Sequence, residues 1–178
     1  DTDAISIASN GVVTFSQTPV GDNAGTIVQV KNVQNGTNIT GTTAMVADDT
    51  IPQNNEGNEL MTLAITPTNS SSRLKIDVVV NCHINVANTD IIVALYQDTT
   101  ANALAAVAVR SHSQTQSEDQ IVFSHNMEAG TTSATTFKVR GGTAGGTQQF
   151  EMNAIPGGTG RGLGGVYASS ITIMEYSV

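Results

Sequence analysis

The chain has 178 residues, room for one domain with a full core or one domain plus a short appendage. Its formal charge of −8 sets it against phosphate backbones and anionic lipid, so no nucleic-acid partner and no membrane insertion are expected. No stretch approaches the ~20 apolar residues of a membrane span, and only 12% of residues are charged, against about 25% in an ordinary globular protein.

Ile5 and Ile7 alternate with polar neighbours, Ser9-Asn10-Gly11 offers a turn, and Val13 and Phe15 resume the alternation. This predicts a hairpin over residues 1–20, broken by Thr18-Pro19 and Gly21-Asp22-Asn23. A lone hairpin is marginal in water, so it needs the rest of the domain or copies of itself. Residues 26–33 read as the next strand and 38–46 as weakly extended. Residues 48–59 read as a polar loop, and Leu60–Ile65 as a strand stopped by Pro67.

The longest signal is residues 73–87. Every even position from Leu74 to Val86 is apolar, while the odd positions are mostly polar. A strand sends alternate side chains to opposite faces, so the run has one buried and one largely wet face. It is long for one strand, and a bend or bulge near Asn81 is expected. Cys82 lies on the apolar face and reads as a buried inert thiol, consistent with assembly in a reducing cytoplasm.

Asp90–Tyr96 is a nearly continuous apolar strand. Residues 101–110 carry helical propensity, but without caps they read as a turn and a strand at 105–111. Ile121, Phe123, His125 and Met127 alternate on another strand, and Phe137 and Val139 on the next. Residues 141–165 are glycine-rich with a short strand at 148–152, and 167–178 form the last strand. Many short strands with turn signals between them and no strong helix predict an all-β fold, a jelly-roll-like antiparallel sandwich. The expected division is a hairpin stem over 1–20 and a sandwich head over 21–178. A start at Asp1 without Met and without a signal peptide reads as a piece or processed product of something longer.

No motif with the specificity of a catalytic signature stands out. Gly160, Gly162 and Gly165 formally match G-x-G-x-x-G, but a β-rich terminus follows where a helix is required, so the stretch reads as a loop. Ser124 and His125 are neighbours on opposite strand faces and cannot act as nucleophile and base together. Asp48, Asp49, Glu56 and Glu59 put hard oxygen donors in one loop, making calcium the candidate ion; the alternative is a solvated acidic loop with no cofactor. In the glycine-rich stretch, Gln148, Gln149, Asn153 and Arg161 offer donors and acceptors for a glycan. Glycines that let chains crowd near a symmetry axis are the alternative.

Residues 48–81 (DDTIPQNNEGNELMTLAITPTNSSSRLKIDVVVN) and 91–106 (IIVALYQDTTANALAA) resemble the C-terminal domain of bacteriophage tail-fibre and related virion structural proteins. Residues 135–146 (TTFKVRGGTAGG) and 168–178 (ASSITIMEYSV) are similar to a late strand and the terminal strand of that domain. Residues 3–16 look like the short hairpin repeat of fibre shafts. The resemblance implies a virion protein assembled in the host cytoplasm, not an enzyme. It implies a homotrimeric fibre or spike head that contacts other virion proteins and, for host attachment, a cell-surface glycan or protein. The rival readings are a capsid head-fibre or decoration protein without receptor binding, and a bacterial carbohydrate-binding module.

Overall fold

The computed structural model describes residues 5–7, 9–11, 13–15, 25–112, 117–145, 148–158 and 160–178. The first strands, β1 (Ile5–Ile7) and β2 (Val13–Phe15), pair antiparallel as the expected hairpin. The turn signals at residues 18–19 and 21–23 lie outside the described residues.

The remaining strands form two sheets. They are β3 (Ile27–Asn35), β4 (Ile39–Gly41), β5 (Asn58–Ile65), β6 (Arg73–Ile84), β7 (Asp90–Gln97) and β8 (Ala105–Arg110). After them come β9 (Ser117–Glu128), β10 (Thr135–Thr143), β11 (Phe150–Met152) and β12 (Ser169–Tyr176). One sheet runs β5-β10-β7-β8; the other is built on β6. All pairings are antiparallel, and the two sheets enclose one core. The architecture is an all-β, jelly-roll-like sandwich.

The alternation in β6 is realised: Leu74, Ile76, Val78, Val80, Cys82 and Ile84 are fully buried against side chains of both sheets. Fully burying a Val, Leu or Ile side chain stabilises the fold by about 1.5–3 kcal/mol, so this face contributes a large share of the cohesion. Of the bend or bulge expected near Asn81, the bulge does not form. β9 pairs with β6 without a break from Arg73 to Ile84. The change at Asn81 lies on the other flank, where β12 pairs with residues 73–79 and β11 with 82–84. A single file of backbone beside β6 is thus interrupted between Met152 and Ser169, and β3 and β4 repeat the interruption one strand further out. The polar face of β6 is also drier than its sequence implies, since Asn81 and His83 are buried.

β7 is buried on both faces, which explains its continuous apolar sequence. Ile91, Val93 and Leu95 enter the main core, while Ile92, Ala94 and Tyr96 pack with Met45 on the outer face. Residues 42–57 cross that face as a strap. Gly141 and Gly142, expected in a loop, are strand residues of β10 beneath it. A Cβ on Gly142 would sit 2.6 Å from the Thr43 carbonyl oxygen, so a side chain there would lift the strap.

Candidate functional site

Two irregular segments lie against the sheets, and each brings polar groups together. The first is the excursion 153–168 that interrupts the strand file beside β6. Its base is Asn153, which is fully buried with φ +60°, a left-handed conformation that Asn tolerates. Asn153 Nδ2 donates to the carbonyls of Asn35 (2.6 Å) and Thr37 (3.0 Å), and its Oδ1 accepts from Ser169 Oγ (2.7 Å). Its backbone N–H donates to Asn81 O (2.9 Å) and its carbonyl accepts from Gly162 N (2.6 Å). Asn81 closes the node: its N–H donates to Ser169 Oγ, its Nδ2 to Ala168 O, and its Oδ1 accepts from Gln120 Nε2. The interruption therefore leaves the exposed strand ends satisfied.

The far part of the excursion is open. Leu163, Val166 and Arg161 are exposed, and the formal dinucleotide match ends in an irregular, kinked turn over Gly162–Gly165 with Leu163 at φ +48° and Gly164 at φ +71°. Asn38 Nδ2 donates to Gly160 O, tying the loop to the break between β3 and β4.

The structure puts the four glycan-contact candidates in different settings. Asn153 is spent at the buried base, so it is a structural residue that cannot offer its amide to a ligand. Gln148 and Gln149 sit where β10 turns into β11, and Gln149 Nε2 donates to Glu151 Oε1. Arg161 stands in the open part of the excursion with its side chain along Gly165.

The four acids also separate. Asp48 accepts from the Thr50 N–H (2.8 Å) and hydroxyl (2.5 Å), which lowers its pKa. Asp48 and Asp49 border a groove of about 450 Å³ with Ile51, Pro52 and Ala103–Ala106. Glu56 Oε2 accepts from Gln53 N, and Glu59 Oε2 lies 3.9 Å from Arg140 Nη1. Among the described residues no three His, Cys, Asp or Glu side chains are grouped to hold a metal ion.

The second segment is the strap, stitched to the sheet by its own carbonyls. Arg140 donates from Nε to Glu56 O and from Nη2 to Gly57 O, both at 2.7 Å, and the Tyr96 hydroxyl donates to Gln53 O at 3.0 Å. Burial, helped by the Glu56 carboxylate, pushes the Tyr96 hydroxyl up to about 12. Where the strap ends there is a cleft of about 230 Å³ lined by Asn54, Tyr96, Asp98, Thr99, Lys138 and Arg140. Lys138 and Arg140 sit opposite Tyr96 and Ala94, so both cations are on the outer face of β10, two residues apart. The sequence reading missed this cleft. Its signal was K-V-R on a strand, an apolar residue between two cations.

Other reactive groups are inert or committed. Burial, with the Asp119 charge adding to it, pushes the Cys82 thiol up to about 12, and its Sγ–H points at Asp119 O (3.3 Å). His125 is half-buried, which lowers its pKa. Glu175 is fully buried; burial alone would raise its pKa, but hydrogen bonds from Gln29, Thr68 and Ser72 outweigh that and hold it at about 2.

No protein-family model matches the chain, and no curated protein matches it. Solved structures show distant likeness. A TNF from S. frugiperda (Eiger) is 10% identical over 83% of this chain and 93% of its own, at a TM-score of 0.45. The sugar-binding C-terminal domain of EclA is 13% identical over 77% and 84%, at 0.37. The enzymatically active domain of tailspike protein 4 of bacteriophage CBA120 is 12% identical over 89% of this chain and 21% of its own, at 0.21. Such scores carry no functional argument, because unrelated chains share sandwich architectures.

Proposed function

We propose that this chain is the head domain of a homotrimeric phage fibre or spike, a non-enzymatic virion component that attaches to a host-surface glycan or protein. The observation that carries the reading is β3. Among the described residues it pairs along its length only with β12, and its other side approaches β5 without strand pairing. Three of its apolar side chains are exposed, Ile27 by 56%, Val28 by 43% and Val30 by 51%, while Val33 packs on the core. An exposed apolar strip on an edge strand is an aggregation hazard unless something covers it, and in a fibre the neighbouring copies do so. The likeness of residues 48–81 and 91–106 to fibre C-terminal domains supports the same reading.

Light scattering on the purified chain at micromolar concentration is expected to report three copies. Val28→Lys with Val30→Lys is expected to return a folded monomer, since two charges facing a neighbour are costly to desolvate. A native chain that stays monomeric, or a double variant that stays trimeric, overturns this reading of β3. Labelled trimer is further expected to decorate host cells, and a trimer that decorates none overturns the attachment role.

A further inference from the structure

We propose that the cleft beside the strap is a binding subsite for a carboxylate-bearing sugar residue, an inference that rests on the attachment reading and names its ligand class. The chain as a whole repels anions, with a net charge of −8. In this cleft, however, Lys138 and Arg140 stand side by side on one strand face. They differ in role. Arg140 is locked by its two bonds to the Glu56 and Gly57 carbonyls, with Nη1 held 3.9 Å from Glu59. Its guanidinium is a fixed positive wall, partly offset by that acid. Lys138, by contrast, forms no ion pair among the described residues and keeps a mobile donor for an incoming carboxylate.

The rest of the cleft suits hydroxyls. Asp98 sits at φ +50° in the turn after β7; its Oδ1 accepts from Thr136 N (2.7 Å) and its Oδ2 from Thr135 Oγ1 (2.8 Å). Each oxygen retains a lone pair for a sugar hydroxyl. Asn54 Nδ2 donates to the carbonyls of Thr99 and Thr100, both at 3.2 Å, which pins the strap to the turn and sets the cleft walls before any ligand arrives. The volume is below the roughly 300–1,000 Å³ of drug-sized sites and fits a single sugar ring better than a larger molecule. The larger groove at residues 48–52 is bordered by Asp48, Asp49 and alanines, and has no cation to receive an acid.

The test titrates the intact protein with galacturonate and N-acetylneuraminate, and in parallel with neutral galactose, by calorimetry and saturation-transfer NMR. Both acids are expected to bind in the millimolar range, at least tenfold tighter than galactose. Lys138→Ala is expected to weaken them about tenfold, Lys138→Arg to restore most of that, and Arg161→Ala to change nothing. Equal binding of galactose and the acids, no binding at all, or affinity indifferent to Lys138→Ala overturns the proposal. Cell decoration by the native trimer separates the two claims. A trimer that decorates cells but ignores the acids removes the subsite alone. One that binds the acids but decorates no cell removes the attachment role and leaves the subsite standing.

Discussion

The strap over β7 and the excursion beside β6 are both irregular segments laid on a sheet, yet only the strap adds a buried apolar anchor to its hydrogen bonds. The strap drives Met45 into an apolar cluster with Ile92, Ala94 and Tyr96, and its carbonyls serve a fixed arginine and a tyrosine. The excursion buries only the small Ala154 fully among its apolar side chains and is fastened by amides and a hydroxyl from Asn153, Asn81 and Ser169. Apolar burial is non-directional and tolerates sliding, whereas a buried hydrogen-bond node fixes register and fails if one member is lost. The strap is thus fit to wall a cleft, and the excursion to hold a fixed base under an exposed tip.

The sharpest way to break this contrast is Asn153→Ala. It leaves the carbonyls of Asn35 and Thr37 without their donor and forces alanine into a left-handed conformation, at an expected cost of about 4 kcal/mol. Denaturant unfolding at one fixed chain concentration measures it; a loss under 1 kcal/mol would mean the node is ornamental. Met45→Ala, the apolar counterpart, should cost about 3 kcal/mol through the cavity it leaves. It should also expose residues 46–56 to protease, and a variant as resistant as the parent would deny the strap its anchor.

A pH series tests a third fastening, built on a carboxylate, because neither the amide node nor apolar packing titrates. Glu175 fastens the Thr68–Asn69 turn and Gln29 to β12 with a folded pKa of about 2 against 4.5 when unfolded. A depressed folded pKa contributes stability that is complete above the unfolded value and is lost as pH falls through the folded one. Stability should therefore drop by on the order of 3 kcal/mol between pH 5.5 and 2. Glu175→Gln should flatten that slope, and an unchanged slope would place the acid-sensitive group elsewhere. The smallest effect belongs to the tip. Leu163→Ala with Val166→Ala should shift stability by no more than about 0.5 kcal/mol, since both side chains already face water.

What the sequence determined is what period-2 alternation can carry. The six buried residues of β6, the inert Cys82, the strand at 105–110 and the near absence of helix all follow from whether neighbouring side chains agree about which face is dry. Alternation says nothing about what lies on the other face. The sequence alone could not show that a strap dries the outer side of β7, nor that Asn81 and His83 are buried on a face that reads as wet. Asn153 looked like a ligand contact because its partners Asn35, Thr37, Asn81 and Ser169 are scattered along the chain. Lys138 and Arg140 became the wall of a cleft only when Asn54 and Asp98 were brought beside them. Hydrogen bonding and charge act between groups that meet in space, and no local pattern along the chain records those meetings.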